Sequence, residues 1–191
     1  GDIPKVDVPS SLNATLRPYQ QHGIEWLLYL RKLGFGALLA DDMGLGKSIQ
    51  TITYLLYIKE NNLQTGPALI VAPTSVLGNW QKEFERFAPN LRVQLHYGSN
   101  RAKGESFKDF LQSADVVLTS YALAQLDEEE LSTLCWDAVI LDEAQNIKNP
   151  HTKQSKAVRN LQANHKIALT GTPMENRLAE LWSIFDFINH G

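Results

Sequence analysis

Cysteine occurs once in 191 residues, at Cys135, so no disulfide can close within the chain and its core must be held by packing. The five histidines, His22, His96, His151, His165 and His190, show no zinc-ligand spacing, which leaves them structural or surface roles. No apolar run approaches the ~20 residues of a membrane-spanning helix. The N-terminus has neither the basic stretch nor the apolar core of a secretory signal. These absences describe an intracellular chain with no membrane partner. An excess of positive charge is missing too: 18 Lys and Arg stand against 21 Asp and Glu, for a formal charge of −3. Bulk electrostatics therefore argue against general nucleic-acid affinity. What remains is 43% hydrophobic and 20% charged residues, the composition of a globular domain. The length is near the prior of roughly 150 residues per domain, so one domain is expected.

Hydrophobic patterning alternates strand and helix throughout. Strands are predicted near 36–40, 68–72, 92–96, 115–119, 137–142 and 166–170, and helices near 17–33, 47–60, 76–88, 105–112, 152–162 and 177–189. Such alternation predicts an α/β fold with a mostly parallel sheet and helices on both faces. The helix over 17–33 places Ile24, Leu27, Leu28 and Leu30 on an apolar stripe and stops at Gly34. Residues 1–13, with Pro4 and Pro9, read as an extended lead-in to a lobe over 14–191. The chain stops directly after an apolar helix, which reads as a fragment.

Residues 40–48, Ala-Asp-Asp-Met-Gly-Leu-Gly-Lys-Ser, follow an apolar run and open a helix. Glycines at Gly44 and Gly46 allow a tight turn whose N–H groups point inward, at a helix N-terminus that already carries about half a positive charge. Lys47 then reaches the β and γ phosphates of a nucleotide, and the Ser48 hydroxyl suits Mg²⁺. This is a P-loop, with Asp41 where the general pattern has glycine. Taken alone, the tract also fits a plain turn from strand to helix. Further along, Val139, Ile140 and Leu141 form a short apolar run that ends in Asp142 and Glu143. Carboxylates at the carboxyl end of a buried parallel strand lie where such sheets bind ligands. Beside a P-loop, Asp142 holds Mg²⁺ and Glu143 orients and deprotonates the attacking water. In isolation the pair also reads as a solvated strand end.

The motifs in order resemble a family. Leu16-Arg17-Pro18-Tyr19-Gln20 with Trp26-Leu27, the stretch 39–48, and Ala72-Pro73-Thr74-Ser75-Val76-Leu77-Gly78-Asn79-Trp80 are similar to the opening motifs of Swi/Snf-type ATPases of helicase superfamily two. Thr119-Ser120-Tyr121, Asp142-Glu143-Ala144-Gln145, Asn146-Ile147-Lys148-Asn149 and Leu169-Thr170-Gly171-Thr172-Pro173-Met174-Glu175-Asn176 continue the resemblance to about residue 187. The family commonly carries Asp at the position of Asp41. Eukaryotic members often have His where this chain has Gln145, and the Gln form most resembles prokaryotic members.

The resemblance implies a RecA-like P-loop lobe, the first of two that clamp ATP and Mg²⁺ between them and move along double-stranded DNA, with a protein–DNA complex as a possible target. It places Met43, Gly44, Leu45, Gly46, Lys47 and Ser48 around the phosphates and Gln20 on the adenine edge. A carboxamide suits adenine because it pairs with N6 and N7 together. It assigns metal binding to Ser48 and Asp142 and catalysis to Lys47, Asp142, Glu143 and Gln145. Pro73, Thr74, Ser75, Thr119 and Ser120 fall on DNA phosphates, and Thr170, Gly171 and Thr172 transmit the γ-phosphate state. Ser75 also reads as a helix N-cap. The second lobe would supply the arginine fingers, worth ~10³–10⁵ in rate, so this chain alone should bind nucleotide poorly and hydrolyse it hardly at all. An RNA-unwinding ATPase and a non-enzymatic ATP-binding scaffold stand as alternatives. From Ala144 to Met174 there is no acidic residue, while Lys148, Lys153, Lys156, Arg159 and Lys166 all occur. Part of that stretch extends the DNA track, meets the second lobe, or is a solvated face. The acidic run Asp127 to Glu130 reads as a solvated turn.

Overall fold

A computed structural model describes residues 2–40, 46–171 and 178–189. Among the described residues, six strands form one sheet: β1 (Ala37–Ala40), β2 (Ala68–Ala72), β3 (Val93–Leu95), β4 (Val116–Ser120), β5 (Cys135–Leu141) and β6 (Gln162–Thr170). Their order is β1-β6-β5-β2-β4-β3, and every neighbouring pair is parallel. The sheet is parallel throughout because each strand is reached from the one before it by a crossover through at least one helix.

Strand residues alternate between two cores. Ile70 of β2, Leu118 of β4, Ile140 of β5 and Leu169 of β6 face α1 (Pro18–Leu33), α2 (Lys47–Glu60) and α3 (Leu77–Phe87). Their neighbours Val71, Val117, Val139 and Ala168 face the opposite layer. That layer holds α4 (Glu105–Gln112), α5 (Tyr121–Leu126), α6 (Glu128–Ser132), α7 (Lys153–Arg159) and α8 (Leu178–Asn189). Burial on both sides is why these strands read as unbroken apolar runs. At Gly36 a Cβ would lie 2.0 Å from the Ile188 carbonyl oxygen, so only glycine lets α8 pass over the start of β1.

The predicted elements are present, with three differences. The region between β4 and β5 holds two short helices, α5 and α6, that the apolar pattern did not reveal. The acidic run is consequently not a solvated turn. Asp127 accepts from Arg101 Nε at 2.6 Å and lies 2.8 Å from buried His96 Nε2, and Glu128 to Glu130 open α6. The Arg101 guanidinium, then His96, holds the Asp127 carboxyl below its ordinary range against the opposing effect of burial. The helix predicted over 152–162 is shorter, since α7 stops at Arg159 and Gln162 already starts β6, where Gln162 and Ala163 pair with Cys135 and Trp136. The lead-in has no helix or strand over 2–13, yet it is bound along its length. Val6 N–H donates to Glu25 Oε2 at 3.0 Å, Ser10 N–H to Glu60 at 3.2 Å, and Asn13 N–H to the Phe87 carbonyl at 2.8 Å. It thus straps α1, α2 and α3 together.

A buried polar network ties the amino-terminal end of the sheet to the helices. Arg31 of α1 grips Asp137 of β5 through two hydrogen bonds, at 2.8 and 3.0 Å, and donates to the Tyr54 hydroxyl at 3.0 Å. Tyr54 lies 2.6 Å from His165 Nδ1, and His165 Nε2 lies 3.0 Å from the Phe35 carbonyl. A carbonyl only accepts, so Nε2 carries the proton and Nδ1 accepts from Tyr54. Burial, followed by the nearby Arg31 charge, lowers the His165 pKa from 6.5 to about 4. The unfolded chain therefore binds a proton below pH 6.5 that the folded chain refuses until about pH 4. Stability contributed by neutral His165 is full above that window and is lost as pH falls through it. Between about pH 7.5 and about pH 5 the loss should be about 2 kcal/mol. Urea denaturation at the two pH values, in wild type and His165→Gln, tests this. An undiminished acid loss in the variant would assign the titration elsewhere.

Candidate nucleotide site

Strand register brings the motifs to one edge. Ala40 of β1 pairs with Thr170 of β6, Leu141 of β5 with Ala168 of β6 and Val71 of β2, and Ala72 of β2 with Ser120 of β4. The described segments that follow these strands are Gly46–Ser48, Gly171, Asp142–Glu143, Pro73–Ser75 and Tyr121, which together span over 100 residues of sequence. This is the ligand edge of an open parallel sheet.

At the β1 end, Gly46 is the N-cap of α2, and half-buried Lys47 and Ser48 form its first turn. Thr51 Oγ1 donates back to the Lys47 carbonyl at 2.7 Å, which fixes that turn. Met43, Gly44 and Leu45, with Asp41, lie outside the described residues. Helix α1 approaches α2 at Gly23, where a Cβ would fall 1.7 Å from Gln50 Oε1. One turn earlier on α1, Gln20 is buried, and its Oε1 accepts from Arg17 N–H at 2.8 Å. That oxygen has a second lone pair, so the cap leaves the carboxamide with hydrogen-bonding capacity.

The two carboxylates are held more elaborately than their spacing reveals. Asp142 N–H donates to the Val71 carbonyl at 2.8 Å, which locks its main chain to β2. Its Oδ2 accepts from the Trp80 indole Nε1–H at 2.8 Å and its Oδ1 from Glu143 N–H at 2.9 Å. Glu143 occupies the left-handed region, φ 47° and ψ 58°, a conformation that costs a non-glycine residue about 1–3 kcal/mol. Tyr121 lies over this corner and donates its hydroxyl to the Asp142 carbonyl at 2.6 Å, with the Glu143 carbonyl at 3.4 Å. Burial, reinforced by the Asp142 and Glu143 charges, pushes the Tyr121 phenol well above its ordinary pKa, so it remains a donor. Gln145 follows in a 3-10 turn, and its Oε1 accepts from Thr170 Oγ1 at 3.2 Å. The end of β6 is thereby linked to the carboxylate segment. Gly171 continues from Thr170, while Thr172 is outside the described residues.

The segments expected on DNA differ from one another. Pro73 is half-buried, and Thr74 and Ser75 are exposed in a 3-10 turn that runs straight into α3. Ser75 is not a helix N-cap, because α3 starts after Val76 and no side chain caps it. Thr119 and Ser120 are buried instead. Thr119 Oγ1 donates to the His96 carbonyl at 2.8 Å, and Ser120 caps α5 by accepting from Leu123 N–H at 3.1 Å. In this fold their hydroxyls hold the corner between β4 and α5. The basic stretch divides as well. Lys148, Lys153 and Lys156 are exposed, but Arg159 binds Asp186 at 3.1 Å and Lys166 is buried with its Nζ 5.4 Å from the Phe187 ring centroid. Only the first three present a basic surface, because β6 and α8 take the other two inward.

The donors fit a hard divalent cation. A serine hydroxyl and one carboxylate are oxygen ligands, and each Asp142 oxygen retains a lone pair beyond its hydrogen bond. No cluster of three or more His, Cys, Asp or Glu suited to a metal occurs among the described residues. Sequence reasoning missed the roles of Trp80 and Tyr121. Both stand inside recognisable motifs as aromatics with a polar tip, but no spacing shows which group across the sheet those tips meet.

A parallel α/β sheet with a lysine-serine turn and a carboxylate pair on its carboxyl edge defines a RecA-like nucleotide-binding lobe. The chain belongs to the family described as the SNF2-related domain, whose pattern matches residues 19–191. It is 62% identical over 190 residues to YwqA of Bacillus subtilis, provisionally named an ATP-dependent helicase/translocase, and covers 100% of this chain and 21% of that protein. Identity to Helicase SWR1 of Candida albicans is 42% over 188 residues, 97% of this chain and 12% of that protein. Among solved structures, the SWI2/SNF2 ATPase core of Sulfolobus solfataricus in complex with dsDNA aligns with TM-score 0.88 and 45% identity. That alignment covers 98% of this chain and 38% of the Sulfolobus chain. The chain thus spans about a fifth or less of the curated relatives named here.

Proposed function

We propose that the chain is the first motor lobe of an ATP-driven translocase on double-stranded DNA. The observation that carries this reading is the register at the carboxyl edge, where Asp142–Glu143 and the exposed Thr74–Ser75 turn follow the adjacent strands β5 and β2, and the Lys47–Ser48 turn follows β1, separated from β5 by β6 alone. Lys47 and the first N–H groups of α2 take the phosphates of ATP, and Gln20 reads the adenine edge. Ser48 and Asp142 would hold Mg²⁺, which supplies charge neutralisation on the phosphates. Glu143 orients the attacking water and accepts its proton, and Gln145 with Thr170 relays the occupancy of the site to the end of β6. A second lobe of the same polypeptide completes the site with its arginines. The family relationship supports ATP use, and the Sulfolobus complex supports duplex DNA as the track.

Thr74 and Ser75 grip the DNA backbone through hydroxyls and amides, contacts that bind phosphate without reading sequence and so suit a sliding motor. Replacing both with Ala in the polypeptide that carries both lobes should lower DNA-stimulated ATPase similarly on unrelated duplexes. Each lost hydrogen bond should cost on the order of 0.5–1.5 kcal/mol. Basal hydrolysis should change little. Charge reversal at Lys153 and Lys156 should reduce the salt dependence of DNA binding by about one unit of slope per lost phosphate contact. Losses that depend on sequence in the hydroxyl variants would contradict phosphate tracking, and an unchanged slope would return the lysines to a solvated surface.

A further inference from the structure

We propose that Trp80 and Tyr121 are positioning residues that transmit the state of the DNA-facing turn to the carboxylate pair. This rests on the reading of Asp142 and Glu143 as the metal and water residues and of Thr74–Ser75 as the phosphate contact. The 3-10 turn over Thr74–Val76 passes into α3 without a break, since Leu77 N–H donates to the Thr74 carbonyl. A displacement at Ser75 therefore moves the first turn of α3, and Trp80 lies in that turn. Trp80 is 4% exposed, and its single polar atom meets Asp142 Oδ2 at 2.8 Å. Asp142 cannot respond with its backbone, which is fixed to Val71 in the sheet. Its carboxylate is the part left to reorient, and Trp80 holds one oxygen of it.

Tyr121 acts on the same dipeptide from the other side of the sheet. It follows Ser120 at the β4 corner, and its hydroxyl donates to the Asp142 carbonyl at 2.6 Å. One aromatic thus orients the side chain of Asp142, and the other fixes the main chain on which Glu143 adopts its left-handed conformation. Two segments that leave neighbouring strands, 73–80 and 119–121, each end in an aromatic tip on the carboxylate pair. An indole N–H and a phenol O–H offer direction as well as volume: Tyr121→Phe removes only the hydroxyl, whereas Trp80→Phe removes the indole N–H and leaves part of its buried ring volume unfilled.

The test is linkage between DNA and nucleotide in the polypeptide carrying both lobes, measured as duplex affinity with and without a non-hydrolysable ATP analogue and Mg²⁺. Wild type should show a nucleotide-dependent change of at least ~5-fold. Trp80→Phe should keep its nucleotide-free affinity for DNA while that ratio falls below about twofold, and Tyr121→Phe should lower it in the same direction. A full ratio in Trp80→Phe would overturn the inference and leave the site assignment standing. No nucleotide dependence in wild type would remove both together. A second measurement needs no variant to fold: the Trp80 indole ¹⁵N–¹H resonance of the wild-type protein should shift on adding Mg²⁺-nucleotide and again on adding duplex DNA. A resonance that neither addition moves would equally overturn the inference.

Discussion

Glu143→Gln should bind ATP with near-wild-type affinity and lose turnover by ~10²–10⁴-fold, the range expected when a positioned general base is removed. Glutamine preserves the length of the side chain and its ability to orient a water, but it does not take a proton at neutral pH. The backbone geometry should be unaffected, since Tyr121 and the Asp142 side chain hold residue 143 through main-chain atoms. Asp142→Asn should behave differently. Asp142 uses both carboxylate oxygens, one for Trp80 Nε1–H and one for Glu143 N–H. A carboxamide offers one acceptor oxygen and an NH₂ group, so one of these donors loses its partner and the metal loses its anionic ligand. Weakened Mg²⁺-dependent binding is then expected ahead of any effect on chemistry. Single-turnover hydrolysis with parallel binding measurements, in the polypeptide that carries both lobes, separates the two outcomes. Near-wild-type turnover in Glu143→Gln would mean that another group activates the water.

The fold was legible because the central strands are buried on both faces. Runs such as Leu69–Val71 and Val139–Leu141 contain only residues that pack well in a sandwiched parallel sheet, and no helical period competes with them. The amino-terminal part of β6 was hidden, because Gln162, Asn164 and His165 are polar, and all three pair or hydrogen-bond at the sheet end where no apolar signal is needed. Helices α5 and α6 are six and five residues long, which is too short to display a 3.6-residue period. The position of the glycine-lysine-serine turn and of the carboxylate pair was legible because each follows an apolar strand run, β1 and β5, whose carboxyl ends lie on one edge of the sheet. The supports were not. Neither the Trp80 bond to Asp142 nor the Tyr121 bond across the Glu143 corner leaves a mark in spacing, since each joins residues brought together only by strand order. The burial of Thr119 and Ser120 is a similar case: their sequence advertises two hydroxyls, and the β4 corner uses both internally.

The claim underlying every other assignment is that the first turn of α2 binds nucleotide phosphate, and Lys47→Ala tests it most directly. Lys47 opens α2 at the carboxyl edge and is only half-buried, so its removal should leave the fold intact while deleting the main positive charge offered to the β and γ phosphates. A ligand that binds the native state alone stabilises it by mass action. At ~10-fold excess of Mg-ATP over the wild-type Kd the gain is about 1.4 kcal/mol, or roughly 3–6 °C in Tm for a chain of this size. Thermal melting of wild type and Lys47→Ala at that same nucleotide concentration provides the comparison. The expected result is equal Tm without nucleotide and a rise in wild type only. An equal rise in Lys47→Ala would contradict phosphate binding at this turn.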